Sequence, residues 1–154
     1  MLGPMVNPSS PRNQLVGVFS LDVARLYNYL YQQSGKKYCI IHSLDGYDEI
    51  SLTGAFKALT LQTERTLVPA DLGLKKVTPE EIFGGTTVED AAGVFLQILE
   101  GQGSDAQKDV VLANAAFALY CMDESKGLQE SVERARLSLE SGAALKTFKN
   151  LVEG

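Results

Sequence analysis

The chain is short of the residues that most often carry chemistry by themselves. It has one histidine, His42, and two cysteines, Cys39 and Cys121, in 154 residues. No Ser/His/Asp triad can be read around that histidine, and no CxxC pair or metal-ligand spacing is present. The cysteines sit in apolar contexts, YCIIHS and ALYCMD, as buried reduced thiols of a cytosolic protein do. There is no GxGxxG and no phosphate-binding glycine loop. The formal net charge is −5 and no Lys/Arg stripe forms, which argues against nucleic acid as a partner. An anionic substrate bridged by a metal stays compatible with that charge, because a bound cation reverses the local sign. No apolar run approaches a membrane span, and MLGPMVNPSSPRN lacks the charged region and apolar core of a signal peptide. The expectation is a cytoplasmic protein without a membrane partner.

What is present is ordinary for a folded domain: 45% hydrophobic and 21% charged residues, enough apolar surface for one core at this length. Pro4, Pro8 and Pro11 crowd the opening. A first element that is all loop has nothing to dock it, so the chain is expected to start inside a larger protein.

Gln14 to Ser20 reads as a short buried strand and Leu21 to Gln33 as an amphipathic helix, with Val23, Leu26, Tyr27, Leu30 and Tyr31 at helical spacing. Tyr38 to His42 is a second buried strand, which makes a βαβ unit. Ala55 to Leu61 and Glu64 to Val68 read as two further strands, an antiparallel pair turning near Gln62-Thr63. Thr78 with Pro79 and Glu81 has the chemistry of a helix start, with a stop at Gly84-Gly85. Three helices follow, Thr87 to Glu100, Ala106 to Cys121 and Gly127 to Ser141, with a last segment from Ala143 to Val152. The small residues of the second, VVLANAAFALY, place it centrally. The fold class expected is α/β, a small, mainly parallel sheet with surrounding helices, in one unit over residues 1–154.

The chemically informative segment is His42-Ser43-Leu44-Asp45-Gly46-Tyr47-Asp48-Glu49-Ile50-Ser51. It follows a buried strand, where α/β sheets place ligands. Asp48 and Glu49 are adjacent. On a straight strand they would diverge, whereas in a turn they can converge and offer Mg²⁺ the hard oxygen pair it takes. The competing reading is a solvated acidic loop in which Asp45 or Asp48 bonds its own turn. His42 reads as a hydrogen-bonded structural residue, and Gly84-Gly85 as a helix stop.

Leu2-Gly3-Pro4-Met5-Val6-Asn7-Pro8 with Gln14-Leu15-Val16-Gly17-Val18 resembles the LGPxxNP…QLxGV pattern of the anthranilate phosphoribosyltransferases. His42 to Ser51 resembles their HGxDGxDEIS segment. Pro69 to Leu74, Gly84-Gly85 and Asn114-Ala115-Ala116 fall in the expected order. The resemblance implies the C-terminal part of a glycosyltransferase family 3-type phosphoribosyltransferase fold. It implies an enzyme of tryptophan biosynthesis that moves a phosphoribosyl group from phosphoribosyl pyrophosphate (PRPP) to anthranilate, with Mg²⁺. Asp48 and Glu49 would be the acidic pair that binds the Mg²⁺, and Gly3 a glycine lining the anthranilate path. Ser43 departs from the family's usual glycine. The family's GTGGD loop, KHGNR segment and anthranilate-binding arginine lie upstream of LGP and are not in this chain, nor is the N-terminal helical region through which the parent would form a homodimer. The fragment alone is therefore expected to be inactive, and to associate with itself through an uncovered strand edge. The alternatives are another nucleoside- or phosphoribosyl-processing member of the superfamily, or a non-catalytic folding or interaction unit.

Overall fold

The computed structural model describes residues 3–153. The first 3-10 turn, Gly3–Val6, leads through a loop into strand β1, Asn13–Gly17. Helix α1, Leu21–Gln32, follows, then strand β2, Lys37–Ser43. Strand β3, Phe56–Thr60, and strand β4, Glu64–Leu67, complete a four-stranded sheet in the order β1-β2-β3-β4. A second 3-10 turn, Pro69–Leu72, hands the chain to helices α2, Val88–Leu99, α3, Asp105–Met122, α4, Leu128–Glu140, and α5, Ala143–Glu153.

The α/β class holds, with one correction of detail: the sheet is not mainly parallel. β1 pairs parallel with β2, but β2–β3 and β3–β4 are antiparallel. The connections decide this. Only β1 and β2 have a crossover helix between them. Residues 44–55 and 61–63 contain none, and a parallel return needs one.

The expected helix at Thr78 is also corrected. Its capping chemistry forms: the Thr78 amide donates to Glu81 Oε2 at 2.7 Å, and the Glu81 amide to the Thr78 carbonyl at 3.1 Å. The chain makes one turn there and stops, because Gly84 and Gly85 follow before a second turn could add propagating bonds. The other starts hold. Ser20 caps α1 through the Val23 amide, while Thr87 with Asp90 and Ser104 with Gln107 form capping boxes on α2 and α3.

Strand alternation sends side chains to two cores. Val16, Tyr38 and Ile40 face α1, where Tyr31 stacks on Tyr38 with ring centroids 5.2 Å apart. Cys39, Ile41, Phe56 and Ala58 face α3 and α4. There Phe117 meets Phe56 edge to face at 5.6 Å, worth about 0.5–1.5 kcal/mol beyond area burial. As its small residues suggested, α3 is central: it packs on β1, β2 and α4, and Ala113 and Ala116 are fully buried. Both cysteines are free and buried, and burial pushes both thiols up.

Candidate functional site

The acidic segment leaves the C-terminal end of β2 as a closed loop. The Leu44 amide donates to the Ala55 carbonyl at 2.9 Å, which ties the loop's two ends together. Inside, the Gly46 amide donates to the Ser43 carbonyl and the Ser43 amide to the Tyr47 carbonyl, both at 3.0 Å. Gly46 sits at φ 105°, a backbone region that favours glycine.

A set of hydroxyls holds the loop from beneath. Ser43 Oγ donates to the Glu49 carbonyl at 2.5 Å. Thr53 Oγ1 donates to Asp45 Oδ2. That uses the only Thr53 hydroxyl proton, so Ser51 Oγ is the donor in its 2.7 Å contact with Thr53 Oγ1. Ser43, Ser51 and Thr53 are all buried, and each hydroxyl has a partner, as burial demands. Asp45 thus works as an anchor of the loop. Between Ser51 and Thr53, Leu52 is fully buried and left-handed at φ 59°, a conformation that costs a non-glycine residue about 1–2 kcal/mol.

With the loop held in this way, Asp48 and Glu49 are exposed and line one cleft of about 270 Å³ with Leu15, Gly17, Ile41 and Asn114. The cleft opens where β1 ends and β2 nears its end, as the expected placement beyond strand C-termini requires. Gly17 of β1 lies against the Asp48 backbone. The third expected site residue, Gly3, opens the 3-10 turn Gly3–Val6, whose Met5 packs on the α1 side of the sheet. Leu2 of the same motif lies outside the described residues.

His42 is buried, and its Nδ1 lies 2.8 Å from the Val18 carbonyl. A carbonyl only accepts, so Nδ1 carries the proton and donates. Its part is structural: it ties β2 to the residue that follows β1. Gly84 and Gly85 sit beyond the single turn at Thr78 and line none of this cleft. A larger cleft of about 400 Å³ lies among Lys75, Lys108, Asp109, Arg136 and Leu139 and shares no residue with the acidic one.

One further residue lines this cleft without having been singled out from the sequence as a candidate. Asn114 stands in the middle of α3. Its Oδ1 accepts from the Ile50 amide at 3.1 Å, and its Nδ2 donates to the Ile50 carbonyl at 2.9 Å. The available signal was a lone carboxamide in an otherwise apolar run, LANAAF.

Comparison with known proteins places the chain in a family. The description "Glycosyl transferase family, a/b domain" matches residues 1–145. The chain is 49% identical over 153 residues to an anthranilate phosphoribosyltransferase of Cytophaga hutchinsonii, covering 99% of this chain and 47% of that protein. It is 51% identical over 151 residues to the protein of that name from Flavobacterium psychrophilum, covering 98% and 46%. Among solved structures, the anthranilate phosphoribosyltransferase of Thermus thermophilus superposes with a TM-score of 0.88 at 27% identity, over 99% of this chain and 46% of that one. The Saccharomyces cerevisiae enzyme in complex with PRPP and Mg shares the fold, with a TM-score of 0.86 at 22% identity, over 99% and 44%. The chain thus spans less than half the length of these relatives.

Proposed function

The chain belongs to the glycosyl transferase family through its a/b domain, and on that premise we propose that it is the C-terminal α/β part of a longer enzyme that transfers a phosphoribosyl group from PRPP to anthranilate. The carrying observation is that Asp48 and Glu49, adjacent and exposed, line one cleft at the strand ends. Support comes from the two close relatives named anthranilate phosphoribosyltransferase. The reaction places the enzyme in tryptophan biosynthesis, and we assign it to the cytoplasm. No described helix is long and apolar enough to cross a membrane.

The donor set fits Mg²⁺. Two carboxylates offer hard oxygens, and among the described residues no group of three or more His, Cys, Asp or Glu gathers to hold an ion by itself. That suits a cation which takes one or two carboxylates and completes its shell with water and substrate phosphates. When bound, Mg²⁺ would offset the charge of the departing pyrophosphate. In the transfer, the anthranilate nitrogen bonds to the ribose C1, the C1–O bond to pyrophosphate breaks, and the proton lost from the nitrogen passes to the departing pyrophosphate or to water. An aromatic amine needs little activation once it is positioned, so proximity supplies much of the rate. The task of this chain is to hold Asp48 and Glu49 in place: Ser43 from beneath, Gly17 by leaving room, and the Asp45–Thr53 bond at the base of the loop. The upstream half carries the other substrate contacts and the homodimer interface. Gly3 contributes to the anthranilate side.

The test is substitution in the full-length enzyme. Asp48→Asn and Glu49→Gln keep size and remove charge, so the fold survives and turnover falls by orders of magnitude. Asp45→Asn has a smaller effect on turnover and lowers thermal stability, since Asp45 anchors the loop. Near-normal turnover of both Asp48→Asn and Glu49→Gln at limiting Mg²⁺ would overturn the reading. The isolated chain is expected to form no phosphoribosyl anthranilate.

A further inference from the structure

We propose that Asn114 is the positioning residue of the acidic pair, fixing Asp48 and Glu49 against helix α3 through the backbone of Ile50. The proposal rests on the reading of that pair as the metal-binding carboxylates.

The argument begins with hydrogen-bond capacity. A carboxamide has two N–H donors and one carbonyl oxygen. Asn114 uses both donors on backbone carbonyls, that of Ile50 and that of Val110, each at 2.9 Å. Its oxygen takes the Ile50 amide at 3.1 Å. The orientation is unique, because turning the amide over would set oxygen against two carbonyls and nitrogen against an N–H. The contact to Val110, one helical turn back, fixes the rotamer. The two contacts to Ile50 then act as a clamp on a single residue 64 positions away in sequence.

The clamped residue is the immediate neighbour of Glu49, and Asn114 itself lines the acidic cleft. Ile50 is fully buried, so the clamp closes on a fixed point. The helix on the other side is equally fixed: Ala113, Ala116 and Phe117 are almost completely buried. The acidic pair is therefore referenced to a helix packed on β1, β2 and α4. With both N–H donors committed to backbone, Asn114 has none to offer a substrate, which makes it a positioning and not a catalytic residue.

The experiment uses the full-length enzyme and reads metal binding without turnover. Mn²⁺ is the probe, titrated in the presence of PRPP and followed by loss of the free-ion electron paramagnetic resonance signal. Asn114→Ser can still bond back to the Val110 carbonyl but cannot reach Ile50. Asn114→Gln keeps the carboxamide on a longer arm and displaces Ile50, so one variant remains informative if the other does not fold. Leu139→Ala, in the separate core cluster with Ile98, Leu112 and Ala135, is the control for lost stability alone. The expected result is a Mn²⁺ dissociation constant raised about tenfold in the Asn114 variants and unchanged in Leu139→Ala. Unchanged Mn²⁺ affinity in the Asn114 variants, with only a lowered melting temperature, overturns the proposal. Glu49→Gln run alongside separates the two claims. If it too leaves Mn²⁺ binding intact, the acidic-pair reading falls. If it weakens binding while the Asn114 variants do not, only the positioning claim falls.

Discussion

The carbonyl oxygen of Asp48 lies 1.6 Å from the point where a β-carbon on Gly17 would stand. The turn that presents the acidic pair therefore occupies space which β1 leaves free by ending in glycine. The neighbouring atom is backbone, so it cannot swing aside as a flexible side chain would.

Gly17→Ala is accordingly expected to push the Asp48 backbone out of the cleft. Stability falls by about 1–3 kcal/mol, as for other overpacked sites, and turnover of the full-length enzyme falls by more than that loss of folded protein explains. Steady-state kinetics at saturating and limiting Mg²⁺, beside a thermal melt, check this. Full activity with normal Mg²⁺ dependence would mean that the turn relaxes freely.

Ser43 stands where the family pattern has glycine, and its hydroxyl holds the Glu49 carbonyl. Ser43→Ala removes that buried bond and is expected to cost about 1 kcal/mol, or about 2–4 °C in melting temperature for a domain of this size. The Mg²⁺ needed for half-maximal turnover rises with it. A variant with unchanged melting and Mg²⁺ response would show that the loop does not use this hydroxyl.

At the start of α2, the backbone amide of Thr86, then the hydroxyl and amide of Thr87, hold the Asp90 carboxyl below the usual Asp range. A depressed carboxylate contributes stability that is fully present above the ordinary Asp pKa and is lost as pH falls through the depressed value. Asp90→Ala should therefore lower the melting temperature at neutral pH, and the gap to the parent should close as pH drops below about 4. A gap constant with pH would show that the carboxylate charge does not carry the loss, since alanine itself is the better helix former.

The two edges of the sheet differ. β4 carries Glu64 and Arg65, both exposed, and Lys57 on β3 pairs with Glu64 at 2.7 Å. Charges of this kind discourage strand addition. The other edge, β1, reads NQLVG and has no charge. The isolated chain is expected to associate through β1, with a mass by light scattering that climbs with concentration. A constant monomer mass over a wide range would count against it, and Leu15→Lys should restore the monomer if the edge is responsible.

The helices were legible in the sequence because their signals are local. Ser20, Thr87 and Ser104 each begin a helix within a residue of the expected place. The direction of β3 was not, since strand pairing depends on residues far apart and on whether the linker can hold a crossover helix. Thr78 misled because cap chemistry starts a turn without supplying the length to continue it. That Asp48 and Glu49 share one cleft could be anticipated from their adjacency and from the turn residue Gly46 between them and β2. Asn114 left only the weak signal of a lone carboxamide in an apolar run, because its contact with Ile50 is announced by no spacing along the chain.

Leu52 is held between two opposed demands. Its φ of 59° suits glycine or asparagine, while its complete burial suits a large apolar side chain. Glycine would relieve about 1–2 kcal/mol of backbone strain and forfeit at least the roughly 2–5 kcal/mol of a deleted core side chain. Asparagine would accept the backbone and bring an unsatisfied amide into the core. Single substitutions that ease one demand worsen the other, so position 52 is a mutational trap: a saturation library would return leucine there although leucine is the ideal answer to neither constraint.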